Sequence, residues 1–233
     1  MQTLQKEGLI QRPSKTDRNA QNKELGDIHI AHTLLISHIR AVLTATCNIN
    51  PGLELLFWRE GRELLDTIEL ALPETYARVP VAPDGFFGLR DAKGRLYFFV
   101  EADRGNMTLK RFTLKLKAYA AFGVAGKHKE RFGINKFRVL TVTSSKARCK
   151  NLIEAALAAE DVRELRTRFL FATEQDLPLS SPESIFTKIW TMPASEKPHS
   201  LLGHALSDNP HRKESVIPMQ PQPNAHTEVR HGP

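Results

Sequence analysis

The sequence predicts an α/β domain whose elements follow the order helix, strand, strand, strand, helix, strand, helix, strand. Apolar residues recur at helical spacing between Ile30 and Cys47, and a turn signal at 91–94 joins two strand-like stretches. A third feature is the strong strand at 137–143, which precedes another helix. With 233 residues, 41% of them hydrophobic, the chain is long enough for one main domain.

The N-terminal residues are typical of the end of a winged helix-turn-helix domain. Residues 4–12 resemble the last turn of a recognition helix, a glycine stop and a first wing strand, and the polar, basic stretch 13–23 resembles a wing. A complete winged helix needs two more helices before this point, so we expect residues 1–25 to be a truncated remnant and linker. A frayed N-terminal arm is the alternative.

The elements between the first helix and the central hairpin are expected to be short. Pro51-Gly52 ends the helix, and an apolar and aromatic strand follows at 53–58. We expect a short helix from Glu60 to Ile68. A loop is expected from Ala71 to Val81, because two prolines interrupt that stretch.

The second half of the chain continues the alternation of helices and strands. The expected elements are a helix from a Thr108 cap to about Gly123, a basic loop at 126–133, the strand at 137–143, a helix from Ser144 or Ser145 to Ala159, and a strand at 169–172. Beyond Pro193 the chain is rich in Pro and His and poor in aliphatic residues, so 193–233 is expected to be a disordered tail.

Three acidic residues are predicted to meet at the base of the central hairpin. Asp84 precedes its first strand, and Glu101 ends the returning strand. Glu101 and Asp103 share a face because side chains alternate across a strand. Carboxylates grouped in this way suit a hard divalent cation. Taken singly, Asp84 also fits a turn residue, and the other two also fit surface ion pairs.

Basic residues dominate the stretch from 104 to 150. It holds thirteen Lys or Arg against Glu130 alone, a net charge of +12 compared with +7 for the whole chain. A positive field beside an acidic cluster suits a metal-dependent phosphodiester enzyme, whereas a solvated basic surface is the plainer interpretation. The candidate DNA contacts are Arg104, Lys110, Arg111, Lys117, Lys127, Lys129 and Arg131.

Lys115 lies inside an apolar stripe rather than opposite it. Phe112, Lys115, Leu116 and Tyr119 recur at helical spacing and are expected on one buried face. A lysine in such a stripe either extends outward along its aliphatic stem or meets carboxylates. Lys115 is therefore a candidate partner of the acidic residues, and Tyr119 is a core or supporting residue.

Several classes of protein are excluded by the sequence pattern. Cys47 and Cys149 are far apart and lack metal-ligand spacing, so neither a zinc site nor a disulfide scaffold is indicated. No apolar run approaches the roughly 20 residues of a membrane span, and the N-terminus has no signal-peptide core. We therefore expect a cytoplasmic protein that does not enter a membrane.

The order of elements resembles the PD-(D/E)xK nuclease superfamily, with its restriction-endonuclease-like α-β-β-β-α-β core. At the family level, residues 28 to 192 resemble the plasmid replication-relaxation proteins, which also resemble a winged helix joined to a nuclease-like domain. The motifs that carry this resemblance are Ala31-His32-Thr33-Leu34, Trp58-Arg59-Glu60, Pro83-Asp84-Gly85, Glu101-Ala102-Asp103-Arg104-Gly105, Lys115-Leu116-Lys117-Ala118-Tyr119, Val139-Leu140-Thr141-Val142-Thr143 and Ile189-Trp190.

The resemblance implies a catalytic site for nicking plasmid DNA, whose candidate catalytic residues are Asp84, Glu101, Asp103 and Lys115. Asp84 and Glu101 would be the ligands of Mg²⁺ or Mn²⁺. This chain departs from the pattern at Asp103, where the superfamily has a lysine, and Lys115 is the candidate replacement. His32 either stands in for a helix-borne glutamate or is a half-buried histidine.

The resemblance also implies plasmid DNA as the partner, together with other replication or mobilisation proteins. The expected regions are the remnant at 1–25, a nuclease-like domain at 26–192 and the tail at 193–233. Two alternatives to a nicking enzyme stay open. One is a catalytically inactive DNA-binding accessory factor, and the other is a protein-interaction module with a basic surface.

Overall fold

The fold is a mixed α/β domain, as the sequence predicts. A computed structural model describes residues 15–72, 75–193, 195 and 197–202, with side chains from residue 26 onward except at 72 and 164. The helices are α1 (Lys15–Ile49), α2 (Leu109–Val124), α3 (Lys127–Phe132) and α4 (Lys146–Ala158). The strands are β1 (Glu54–Arg59), β2 (Asp66–Leu72), β3 (Thr75–Val81), β4 (Gly85–Asp91), β5 (Gly94–Asp103), β6 (Arg138–Thr143) and β7 (Phe169–Thr173).

Five strands form one mixed sheet in the order β1-β4-β5-β6-β7. Strand β4 is antiparallel to both β1 and β5, and the predicted turn at 91–94 joins β4 to β5. Strands β5, β6 and β7 are parallel to one another. Because parallel neighbours need crossover connections, the chain passes through α2 and α3 between β5 and β6, and through α4 between β6 and β7. The carboxyl ends of these three strands therefore share one edge of the sheet.

The sheet separates two hydrophobic cores. Successive residues of β5 point to opposite faces, so Phe98 and Val100 join α1 while Phe99 joins α2 and α4. The side chains of α1 that enter the first core are Leu35, Ile39, Val42 and Leu43, all fully buried. This alternation also directs Glu101 and Asp103 toward the α2 side.

The segment between β1 and β4 differs from the prediction. The helix expected at 60–68 is reduced to a single 3₁₀ turn at Arg62–Leu64, and β2 and β3 form a separate antiparallel hairpin where a loop was expected. Pro80 lies opposite Thr67 in this hairpin. A two-stranded sheet has only edge strands, which tolerate proline, so the proline signal was misleading here.

Two boundaries on the α2 side also need correction. The α2 helix begins after its Thr108 cap as expected, and its last residue is Val124 rather than Gly123. The stretch expected to be a basic loop is the short helix α3, bounded by Gly126 and Gly133 with φ of 71° and 66°. Those positive φ angles suit glycine, and they allow the chain to enter and leave the helix sharply.

The structure continues beyond both ends of the domain that the sequence predicts. Residues 4–12 lie outside the described residues, but Lys15 onward is helical, so the wing expected at 13–23 is wrong from residue 15. The described chain also continues past residue 192. Leu201 is fully buried, and Trp190 pairs with His199 in an antiparallel bridge. Residues 203–233, the rest of the expected tail, lie outside the described residues.

Helix α1 has a segment, Gly26–Ile49, that is long and apolar enough to cross a membrane by length and composition alone. The expectation that no segment reaches this threshold is therefore wrong. One face of the segment packs on the sheet through Leu35, Ile39 and Leu43. These buried residues account for part of its hydropathy, whereas Ile30, Leu34 and Ile49 of the same segment are exposed.

The contact between β1 and β4 requires glycine at position 88. A Cβ atom built on Gly88 would lie 2.7 Å from Cε1 of Phe57, whose ring packs on Phe86 with centroids 5.0 Å apart. Real Cβ atoms do not approach carbon so closely, so any side chain at this position displaces the Phe57 ring.

We expect Gly88→Ala to lower the free energy of unfolding by about 1–3 kcal/mol, the usual cost of overpacking. Urea unfolding measures this. The control is Gly26→Ala in α1, where no atom lies within 4 Å of the added Cβ and helix propensity favours alanine by about 1 kcal/mol. Equal stabilities of the two variants would contradict the prediction.

Candidate functional site

The acidic residues meet at the sheet edge where β5 ends. The backbone N–H of Asp84 donates to the carbonyl of Val100 at 2.9 Å, and the Asp84 carboxylate accepts from the N–H of Ala102 at 2.8 Å. These two bonds hold Asp84 against the strand that carries Glu101. The predicted proximity of Asp84 and Glu101 is therefore observed.

His32 reaches the same place from α1. Its Nε2 lies 3.2 Å from Oδ1 of Asp84, and its side chain is about one-third exposed. The hydrogen bond to Asp84 raises the pKa of His32 above its ordinary value of 6.5, against the opposing effect of burial. His32 thus joins the site and, when protonated, offsets the charge of Asp84.

Lys115 and Tyr119 of α2 both donate hydrogen bonds to Glu101. Lys115 contacts one carboxylate oxygen and the Tyr119 hydroxyl contacts the other. The Lys115 side chain is only 18% exposed and that of Glu101 only 8%. The inward orientation predicted for Lys115 is therefore observed, and Tyr119 is a fully buried core residue whose hydroxyl supports the carboxylate.

This burial changes the acid–base behaviour of the group. Burial raises the pKa of Glu101 to about 7, the Asp84 carboxylate adds to the rise, and Lys115 opposes it. Burial lowers the pKa of Lys115, but the carboxylates of Glu101 and Asp84 more than offset that effect and leave it above its ordinary value. Near neutral pH the Lys115 ammonium is therefore charged, while the Glu101 carboxyl is partly protonated.

Asp103 lies on the same face, but its carboxylate has a different set of partners. Arg148 of α4 binds it through two bonds of 2.8 and 3.0 Å, and the Thr143 hydroxyl donates to it at 2.9 Å. The N–H of Gly105 donates as well, at 3.2 Å. Arg148 also donates to the carbonyl of Met107 at 2.6 Å. Asp103 therefore anchors the 104–108 loop, and this geometry does not favour a catalytic role for it.

Arg148 was missed as a site residue by the sequence analysis, which grouped it with the other bases. Its side chain is 15% exposed, and that of Asp103 is 6% exposed. No local pattern signals such a pair, because the two residues are 45 positions apart in the chain. The strand alternation does place Asp103 on the face against which α4 packs, but it does not identify the arginine.

The site opens into a cleft of ≈ 290 Å³. The residues that line it are Ile28, His29, His32, Asp84, Glu101, Ala102, Asp103, Arg104, Asn106, Met107, Phe112, Lys115 and Thr141. Helix α1 forms one wall and the 104–108 loop forms the other. Thr141 is a second residue that the sequence analysis missed, and its hydroxyl is buried without a hydrogen-bond partner among the described residues.

The predicted basic surface divides into residues with and without internal partners. Lys127 and Arg131 bind Asp66 at 3.4 and 3.2 Å, and they tie α3 to the β2–β3 hairpin. Arg104 lines the cleft and binds Glu174 at 2.7 Å. Among the other predicted contacts, Lys117 pairs with Asp161, and Lys110, Arg111 and Lys129 are exposed.

Lys110 and Arg111 therefore differ from Lys129 in position rather than in exposure. They begin α2, directly after the loop that forms one wall of the cleft, whereas Lys129 follows the other end of α2. The 16 residues of α2 span about 24 Å, so the two groups of bases belong to different surfaces.

The donor set is compatible with a hydrated divalent cation. Within the part of the chain that the structure describes, no group of three or more His, Cys, Asp and Glu side chains is arranged to hold a metal ion. Mg²⁺ keeps several waters, however, and is commonly held by one or two carboxylates together with substrate phosphates. Asp84, which directly precedes β4, and Glu101 on β5 provide two carboxylates at one cleft.

Comparison with known proteins gives a family match. A family model described as Replication-relaxation matches residues 2–137, more than half of the chain. The match includes Asp84, Glu101 and Lys115 and ends before β6 and α4. No curated protein and no solved structure matches the chain.

The raised pKa of Glu101 predicts how stability depends on pH. A folded pKa of about 7 against an ordinary 4.5 means that the folded state holds the proton more tightly. The stability contributed by this group is therefore complete below pH 4.5 and lost as pH rises through about 7.

We expect Glu101→Gln to flatten this decline between pH 4.5 and 6.5, as measured by urea unfolding at several pH values. The decline due to His32, whose pKa is also raised, remains above pH 6.5. Glu69→Gln, which changes an exposed carboxylate on the β2–β3 hairpin, is the control. A Glu101→Gln profile parallel to that of the parent would show that Glu101 is not the titrating group.

Proposed function

The chain belongs to the replication-relaxation family, and from that premise we propose that it binds plasmid DNA and nicks it in the cleft between α1, β5 and α2. Family membership supports a role in plasmid replication or relaxation. The observation that carries the finer proposal is the convergence of Asp84, Glu101 and Lys115 on one cleft at the carboxyl end of β5. An acidic pair with a nearby lysine is the donor set that metal-dependent cleavage of a phosphodiester needs.

Asp84 and Glu101 would hold Mg²⁺ or Mn²⁺, with waters and a DNA phosphate completing the coordination. When bound, the cation would activate water and stabilise negative charge on the scissile phosphate and the leaving oxygen. The deprotonated Glu101 carboxylate is the form that binds a cation. Because its pKa is raised to about 7, cation binding should strengthen as the pH rises through that value.

Lys115 would supply the positive charge that the superfamily pattern places two residues after the acidic residue of the strand. Asp103 occupies that position here and is bound by Arg148. Lys115 approaches from α2 instead, and its ammonium contacts Glu101. We propose that it exchanges this contact for the phosphate or for the attacking water once DNA is bound.

A restriction-endonuclease-like core is part of the same proposal. In support of the core, α1, β1, β4, β5, α2 and β6 follow the α-β-β-β-α-β order, with the β2–β3 hairpin inserted between β1 and β4. The parallel pairing of β5 and β6 places Glu101 beside Thr141 at the cleft. The nuclease-like function therefore rests on element order and site geometry together.

A catalytically inactive DNA-binding accessory factor is the second candidate function, and one observation favours it. Both oxygens of the Glu101 carboxylate are already engaged by Lys115 and Tyr119. A cation would compete with the Lys115 ammonium for this carboxylate. If no cation binds, the acidic residues only stabilise the fold and the basic residues bind DNA without cleavage.

A plasmid-nicking assay tests the proposed activity. We expect the parent protein to convert supercoiled plasmid to open circles in the presence of Mn²⁺ or Mg²⁺, and not in EDTA. Asp84→Asn and Glu101→Gln should each reduce the rate by about 100-fold or more, because metal catalysis contributes several kcal/mol to such reactions.

Glu69→Gln is again the matched control and should nick at the parental rate, and thermal melting checks that every variant is folded. If both site variants nick as fast as the parent, Asp84 and Glu101 are not the metal ligands. If the parent binds DNA but does not nick it, the accessory function is favoured.

We further expect DNA to contact the start of α2. The double variant Lys110→Ala, Arg111→Ala should bind a duplex more weakly at low salt, and the slope of log K against log salt should become shallower by about 2. Fluorescence anisotropy at several salt concentrations measures both quantities. Each of these residues would then neutralise one phosphate.

The matched control removes two exposed positive charges elsewhere, with Lys93→Ala in the β4–β5 turn and Lys129→Ala in α3. Nonspecific electrostatic attraction predicts the same loss of DNA affinity for both double variants. A loss confined to the control would place the DNA on the α3 side instead.

A further inference from the structure

Thr141 carries a buried hydroxyl for which the described residues offer no hydrogen-bond partner. The residue is 1% exposed and lies on β6, directly opposite Glu101 in the ladder with β5. It also lines the cleft that contains Asp84 and Lys115. Thr143, two positions along the same strand, has its hydroxyl bound to Asp103 at 2.9 Å. The two threonines therefore share a face and a strand and differ in whether the hydroxyl has a partner.

A buried hydroxyl without a partner is unfavourable to folding, because it has lost its bonds to water. Valine has nearly the same shape and would fill the position without that cost, and β6 already uses it at Val139 and Val142. An unpaired polar group at the wall of a cleft is explained if its partner arrives with a ligand.

We propose that Thr141 is a ligand-contacting residue of the cleft, whose hydroxyl bonds an oxygen that the ligand brings. That oxygen is either a water of the bound divalent cation or a phosphate oxygen of the DNA strand. The chemical identity of this ligand rests on the proposed function. The observation that the Thr141 hydroxyl has no partner among the described residues does not depend on that proposal.

The chemistry of the neighbouring residues is consistent with an oxygen ligand. Glu101, paired with Thr141 across the ladder, is the candidate acceptor for a cation, and Lys115 is bound to that carboxylate. A threonine hydroxyl both donates and accepts, so it can donate to a phosphate oxygen or accept from a cation-bound water. Either bond would add to the carboxylate contacts without adding charge to a site whose acidic groups already repel one another.

Thr141→Val and Thr143→Val form a matched pair that tests this inference. We expect Thr141→Val to raise the melting temperature by about 2–4 °C, because an unpaired hydroxyl is removed. It should also weaken ligand binding about five- to tenfold, which corresponds to one lost hydrogen bond. Thr143→Val should lower the melting temperature, since Asp103 loses a donor. Thr141→Ser, which keeps the hydroxyl, should restore binding.

Two binding measurements distinguish the sources of the oxygen. Calorimetric titration with Mn²⁺ in the absence of DNA detects a contact to the hydrated cation. Fluorescence anisotropy with a labelled oligonucleotide in EDTA detects a contact to phosphate. Weaker binding of Thr141→Val in one measurement, together with a higher melting temperature, supports the inference and identifies the source.

Unchanged affinity of Thr141→Val in both measurements would overturn the inference, whatever happens to the melting temperature. A lower melting temperature with unchanged affinity would further show that the hydroxyl is a structural group. Failure of the proposed function appears differently, because the parent protein itself would then bind neither Mn²⁺ nor the oligonucleotide, and both proposals would fall together.

Discussion

The buried carboxylate of Glu101 is held between the end of β5 and the inner face of α2, where Lys115 and Tyr119 both donate hydrogen bonds to it. A charge removed from water in this way is tolerated only when it is paired and fully hydrogen-bonded. The orientation of α2 on the sheet is therefore coupled to the position of one acidic group. The same contact that joins α2 to β5 also brings a lysine to the mouth of the cleft.

A second polar contact fixes the other wall of the cleft. Arg148 of α4 binds both Asp103 and the carbonyl of Met107, so the loop after β5 is tied to the crossover helix that follows β6. The cleft thus lies between two anchored walls, and its lining includes the Thr141 hydroxyl, which has no hydrogen-bond partner among the described residues. Hydrogen-bonded groups therefore surround one hydroxyl that is free to bond the proposed ligand.

The excess of positive charge has more than one physical role. Lys127 and Arg131 bind Asp66 and join the β2–β3 hairpin to α3, and Arg104 binds Glu174, so these bases contribute to the fold. Lys110 and Arg111 begin α2 beside the cleft and are exposed. Net charge counts all of these residues equally, and only the distribution of acidic partners separates bases that contribute to the fold from exposed ones.

Local pattern in the sequence determined the order of the main elements, the hairpin at 91–94, the approach of Asp84 to Glu101 and the inward direction of Lys115, because strand alternation and helical spacing act over a few residues. Tertiary structure alone decided the Arg148–Asp103 pair, the unpaired state of Thr141 and the β2–β3 hairpin. These depend on which surfaces meet across 40 or more residues, or on pairing that tolerates a proline at an edge. The contacts of Asp103 with Arg148 and Thr143 leave no periodic signal, since they join segments that are far apart in the chain.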